Sequence, residues 1–346
     1  MMHVGKQGSK CPSLHVHGCQ MPQVTEIKYL GDIISIDGKN TKNIKDRICK
    51  GHGIINQIMN MLRTLNFGNL TVEMALLLRN SMLLNGILTN SEVWFGLSQK
   101  DLSTLENLDK YFLTNFLTVP RTVPEVALYL ELGVLPISTI IMGRRLNYLH
   151  SIIKSPKDGM LYRVFITQWL YPCNGDWTQQ VKSDLADLGL DSSLQWLESK
   201  SKLTFKQIIK KSLSEFTLKK LLKKKDLSKK LANLSYNELK TQEYLLNREL
   251  TFDEKKMIFK FRTRMADYKE NFRGLNPSTI CPLCKLHFDS QNFALQCPII
   301  KKEIKGSDTD ISDIYDDVIS LKSVKLLSKV TVIRTKLMKQ LNGIDM

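Results

Sequence analysis

What the chain lacks narrows its chemistry first. No apolar run approaches the roughly 20 residues that cross a bilayer, and Met1–Gln20 has no apolar stretch of signal-peptide length; the expectation is a protein neither membrane-embedded nor secreted. No glycine-rich phosphate loop, no Ser-His-Asp order and no zinc-protease helix occurs, so binding equipment outweighs catalytic equipment. Cysteines are few, seven at irregular spacing, which argues against a disulfide framework and for a reducing compartment. Acid is in deficit: 34 Asp and Glu stand against 50 Lys and Arg, a net charge of +16. With a pI near 9.4, that excess points to a polyanion partner, RNA or DNA. The 346 residues, 42% of them hydrophobic, have room for two or three cores.

Three of the cysteines carry the clearest motif. Cys281-Pro282-Leu283-Cys284 closes a turn that aims two thiolates at one ion, and Cys297 supplies a third. Tetrahedral zinc takes four ligands, and His287 is the only histidine nearby, giving the order Cys281, Cys284, His287, Cys297 and a structural zinc. The bland alternative is a degraded site or chance cysteines. Cys11, His15, His17 and Cys19 share one strand parity, but ligands from a single strand cannot converge tetrahedrally without a turn. Tyr315-Asp316-Asp317 resembles the paired aspartates that hold two metals in polymerases. It lies in an acidic stretch with Asp308, Asp310 and Asp313, which reads as surface acid.

The predicted class is mainly α. Residues 1–39 form a short N-terminal hairpin region of two or three strands, from the β-branched Ile33, Ile34 and Ile36 and the Asp37-Gly38 turn. Residues 40–155 form a helical bundle, residues 156–250 a basic helical linker, residues 251–300 a basic helix plus knuckle, and residues 301–346 an acidic loop and a last helix. Ser98 and Thr251-Phe252-Asp253-Glu254 mark helix starts. A helix over Ile137–Ile153 directs Arg144 and Arg145 away from Ile141, Leu146 and Leu149. Trp169, Trp177 and Trp196 read as core rather than as stacking platforms. Residues 201–230 hold eleven lysines against Glu215 and Asp226; Lys219, Lys220, Lys223, Lys224 and Lys225 form a surface suited to a phosphate backbone. Lys256, Lys260 and Arg264 recur every four residues on the helix behind Thr251.

Taken together these segments resemble a known family. Val24-Thr25-Glu26-Ile27-Lys28-Tyr29-Leu30-Gly31-Asp32-Ile33-Ile34 resembles the end of the palm in reverse transcriptases of non-LTR (LINE-like) retrotransposons. Leu128-Tyr129-Leu130-Glu131-Leu132-Gly133 and Arg144-Arg145-Leu146-Asn147-Tyr148-Leu149-His150 resemble the helical region after it, the thumb. Phe261-Arg262-Thr263-Arg264-Met265, Asn271-Phe272, Cys281-Pro282-Leu283-Cys284 and Gln296-Cys297-Pro298 resemble the C-terminal zinc knuckle. The resemblance implies that Lys28, Tyr29, Leu30 and Gly31 support a primer end, and that Arg144, Arg145 and the lysines of 219–225 hold phosphates. It implies a parent RNA-directed DNA polymerase using magnesium, and a nuclear or cytoplasmic ribonucleoprotein. Two departures stand out. No aspartate pair precedes Lys28, so this chain is expected to bind template, primer or target without polymerising. The family's histidine four residues before the last cysteine is Phe293 here. The alternative from another class is a helical protein-interaction scaffold, or a domesticated nucleic-acid-binding protein.

Overall fold

Two antiparallel hairpins begin the described part of the chain: β1 (His15–Val16) with β2 (Cys19–Gln20), and β3 (Glu26–Tyr29) with β4 (Asp32–Ser35). Our computed structural model describes residues 15–64, 71–173, 175–275, 278–304, 311–316 and 318–341. Each hairpin turns on two residues of positive φ, His17 and Gly18, then Leu30 at 46° and Gly31 at 88°. Such turns match the twist of the strands they join. The second hairpin is tied to α1 (Thr41–Thr64). There the Asp32 carboxylate accepts from Asn43 Nδ2 at 2.8 Å and Arg47 Nη2 at 2.7 Å, and Asn43 Oδ1 accepts from the Ile33 amide at 3.2 Å. The rest is mainly helical, and among the described residues no single helix is long and apolar enough to cross a membrane.

Packing groups the chain into two units that interleave in sequence, residues 1–61, 76–112 and 135–217, and residues 62–75, 113–134 and 218–346. The five consecutive segments read from composition follow chain order, whereas these units do not.

In the first unit, Gly51 explains how α1 packs. A Cβ there would fall 2.4 Å from Leu108 Cδ2, so the residue that weakens the helical pattern is the one that admits α4 (Gln99–Phe116). Ser98 and Asp101 cap α4 reciprocally. The helix α2 (Val72–Leu78) continues through a π segment, Arg79–Leu84, into the single turn α3 (Asn85–Ile87). Arg79, fully buried, donates from Nε and Nη2 to the Asp109 carboxylate, both at 2.7 Å. The centre is α6 (Ile137–Ile153), with α7 (Met160–Leu170), α8 (Trp177–Asp187), α9 (Leu194–Ser199) and the first turns of α10 (Lys202–Asp226) around it. Leu146, Leu149, Phe165, Trp169, Leu185 and Phe205 fill its core, and Trp177 and Trp196 pack against it. The tryptophans are therefore core, as their size predicts.

The second unit holds α5 (Glu125–Leu132), α11 (Glu243–Leu246), α12 (Phe252–Arg262), α13 (Pro298–Ile304) and α14 (Leu321–Leu341). Gly133, at φ 62°, ends α5. A Cβ on it would lie 2.2 Å from the backbone of Lys240 and Thr241, so the 240–242 segment passes directly over this turn. Its Gln242 amide donates to the Glu131 carbonyl at 3.0 Å. The Thr251 capping box is complete.

Candidate metal centre and basic surfaces

A bridge between Ile280 and Phe288 closes the knuckle loop. Within it the Cys281 amide donates to the His287 carbonyl at 2.8 Å and the Lys285 amide to the Cys281 carbonyl at 2.9 Å. Lys285 takes a left-handed φ of 57° to make the turn. Cys297 enters from the other side, where its amide donates to the Phe293 carbonyl at 3.2 Å and its carbonyl starts α13 by accepting from Lys301. The three sulfurs lie within 4.8 Å of one another. Zinc–thiolate bonds of about 2.3 Å place tetrahedral sulfurs about 3.8 Å apart, so small adjustments suffice. Burial pushes the Cys297 thiol up to about 11. At Cys284 burial also pushes upward, but the Leu286 and His287 amides and the neighbouring sulfurs outweigh it and lower the thiol. Amides aimed at a sulfur favour its anionic form, the form that binds metal. The donor set therefore fits a soft or borderline cation such as zinc.

His287 does not join the three cysteines. Its exposed ring lies parallel to that of Phe293, centroids 6.4 Å apart. The loop fixes its backbone carbonyl on Cys281, and the side chain leaves on the outer face. The stem below the sulfurs is anchored instead by polar residues. Asp289, Ser290 and Gln291 are all buried. Asp289 accepts from the Lys269 amide at 3.0 Å and Arg334 Nη2 at 2.9 Å. Gln291 Nε2 donates to the Phe261 carbonyl at 2.7 Å.

The basic residues differ in exposure. Lys219, Lys220, Lys223 and Lys224 are exposed on the C-terminal turns of α10, while Lys225 is half-buried and paired with Asp226 at 3.3 Å. Lys256 pairs with Asp253 at 2.6 Å and Lys260 is half-buried. Arg264 is not on their helix. After Arg262 the chain closes in a Schellman cap, with Met265 N–H on the Lys260 carbonyl at 2.7 Å and Arg264 itself at φ 53°. Arg264 faces Glu270 at 3.9 Å. Lys28 is exposed on β3, with Tyr29, Leu30 and Gly31 at the hairpin tip; Tyr29 and Leu30 are 62% and 78% exposed.

Arg144 and Arg145 do not face away from the core. Arg145 sits four residues after Ile141 and four before Leu149, so it shares their buried face. Its Nε donates to Asp184 at 2.7 Å and its Nη2 at 3.1 Å. Arg144 donates to the Leu88 carbonyl and to Asn85 Oδ1. Burial raises the Asp184 carboxyl despite Arg145, so its charged form depends on that guanidinium. Arg145→Met is therefore expected to cost the first unit about 1–3 kcal/mol and to leave nucleic-acid affinity unchanged. All four tryptophans lie in that unit, so urea titration followed by tryptophan fluorescence measures the loss; an unshifted midpoint with weakened nucleic-acid binding would restore the phosphate role.

Of the other sequence candidates, Cys11 and Asp317 lie outside the described residues. His15, His17 and Cys19 are exposed around the first hairpin turn. Tyr315 packs on Phe261, 5.9 Å between ring centroids, and its hydroxyl accepts from Gln291 at 3.1 Å; Asp316 offers Arg262 its backbone carbonyl. Tyr315 and Asp316 thus sit in a structural joint. No family model, curated protein or solved structure matches the chain.

Proposed function

We propose that this chain binds RNA or DNA, as the C-terminal part of a reverse transcriptase of the non-LTR kind: a palm-end hairpin, thumb helices, a basic linker helix and a zinc knuckle. The observation that carries the nucleic-acid reading is the face of α10. Lys219, Lys220, Lys223 and Lys224 are exposed together there, and 201–230 holds only two acids, Glu215 and Asp226. Lysines in the last turn also favour a helix C-terminus, by about 0.3–1 kcal/mol each. That local role needs no cluster of this size. Along a phosphate backbone the cluster releases counterions, and affinity then falls steeply with salt. Cys281, Cys284 and Cys297 would hold zinc, which cross-links the knuckle loop to α13 and fixes the fold rather than performing chemistry.

The test is a salt titration of duplex DNA binding, with a variant carrying Gln at 219, 220, 223 and 224. At about 0.9 per neutralised phosphate, its log–log slope is expected to shrink by roughly three to four. An unchanged slope moves the binding surface elsewhere. No binding at low salt favours the protein-interaction scaffold.

A further inference from the structure

The second unit contains a cleft of about 730 Å³ between α12 and the C-terminal half of α14. Its rim is cationic. Lys256 and Lys260 project from α12 and Lys339 from α14, against Asp253 and Asp267. Asp253 is already held by Lys256 at 2.6 Å. Lys260 is half-buried and has no ion-pair partner among the described residues; burial first, and then the charge of Lys256, lower its pKa. Asp253 opposes the shift without overcoming it; a partly desolvated ammonium beside a second one is costly, and an anionic ligand reduces the cost. Met257, Phe272 and Met338 line the walls, half-buried, and present apolar surface next to those charges.

The floor is rigid. Arg334 lies over the Tyr268 ring, 4.5 Å from its centroid, with Nη2 on Asp289 at 2.9 Å and Nε on the Asp267 carbonyl at 3.3 Å. Two of its nitrogens are thus engaged by the protein, and Lys260 and Lys339 have no ion-pair partner among the described residues, while Lys256 can exchange its contact with Asp253 for a ligand. The volume is that of a small-molecule site. It holds about one or two nucleotides, and a paired duplex, whose bases are stacked inside, cannot enter. Cationic groups beside apolar and aromatic surface are what an unpaired nucleotide engages, phosphate on the first and base face on the second.

We propose that this cleft binds a single-stranded stretch of nucleic acid, with a phosphate on Lys260 and Lys256 and an unstacked base against Met257, Phe272 and Met338. This deepens the nucleic-acid reading and rests on it, but it assigns a separate site from the α10 lysines. The cleft makes the chain recognise unpaired ends or loops, while α10 follows the backbone of any form.

The experiment uses the full chain with three fluorescent probes: an oligouridine octamer, an oligothymidine octamer and a 20-base-pair DNA duplex. Lys260→Met keeps the stem and removes the charge. It should weaken both octamers about tenfold and the duplex less than twofold. Thr335→Glu, a surface change on α14 that puts a carboxylate at the lip, should act in the same direction. The α10 variant with Gln at 219, 220, 223 and 224 should do the reverse, losing duplex more than octamer. An octamer carrying 4-thiouridine should photo-cross-link within 256–272 or 331–339. Equal loss of octamer and duplex in Lys260→Met, or cross-links confined to other segments, overturns the cleft while leaving the α10 reading intact. Competition by an octamer of glutamate equal to that by oligouridine also overturns it, since the cleft would then read charge alone. If only the α10 variant behaves normally while cross-links map to the cleft, the α10 reading fails and the cleft stands. Absence of binding by any probe at low salt removes both.

Discussion

Glu131→Ala is expected to destabilise the second unit by about 3–5 kcal/mol, the cost of leaving one buried charge without its partner. Glu131 and Arg262 are both fully buried and meet through Nε at 3.0 and 3.1 Å. Around them Tyr236 Oη donates to Glu131 Oε1 at 2.5 Å and Tyr244 Oη to Oε2 at 2.8 Å. Arg262 Nη1 donates to the Ile314 and Asp316 carbonyls at 2.8 and 2.9 Å. One carboxylate thus ties together α5, the 236–246 segment, α12 and the 312–316 turn. Burial and the adjacent carboxylate both push the two phenols up, so they stay protonated donors. At Arg262 burial pulls downward, but the Glu131 carboxylate prevails and holds it charged. Truncating Glu131 strands the guanidinium and two hydroxyls at once, which places the change among the most destabilising single substitutions. This unit has no tryptophan, so hydrogen exchange is the measure. Peptides covering 125–132, 236–246 and 252–262 should lose protection together while those of α6 keep theirs. Protection unchanged in all three would show that the network is not what joins them.

Local signals in the sequence were legible wherever the cause is local. The Thr251 capping box, the Ser98 start of α4, the span of α6 and the presence of a last helix, α14, all follow from residues within a few positions of one another, and each is present. Size alone placed the tryptophans in the core. Pairings across long stretches left no local trace. Glu131 looks like a lone charge in an apolar run, and its partner is 131 residues away. Arg145 read as surface because it neighbours Arg144, yet its heptad neighbours Ile141 and Leu149 already placed it inside, against Asp184. Arg264 continued the spacing of Lys256 and Lys260, but helix ends of the Schellman type normally carry glycine, and an arginine there gives no stop signal. In the knuckle the cysteines were visible and the fourth ligand was not. His287 is close in sequence, but the turn that brings Cys281 and Cys284 together sends its ring outward.

That outward ring sets the last expectation, about the metal. Purified under reducing conditions without chelator, the chain should carry about one zinc, held by Cys281, Cys284 and Cys297. Cys281→Ser should remove it. Binding to the folded form alone stabilises by about 2.7 kcal/mol at a hundredfold excess over Kd, so metal loss should appear as faster hydrogen exchange across 278–304, with the anchored Asp289–Gln291 stem the last to open. His287→Ala should leave the zinc content near one, because the ring stacks on Phe293 and is not grouped with the sulfurs. Phe293 stands one turn before Cys297, and its carbonyl already accepts the Cys297 amide. Phe293→His therefore adds an imidazole beside the last thiolate and should tighten zinc, read as slower loss to a competing chelator. The ligands bind as thiolates, so protons compete with zinc and occupancy should fall as pH falls. Burial of the Cys297 thiol, which pushes it up to about 11, adds to that competition. Zinc lost in His287→Ala would show the ring turning inward to complete the site. No zinc in the unaltered chain would leave three adjacent thiols with no metal to join them.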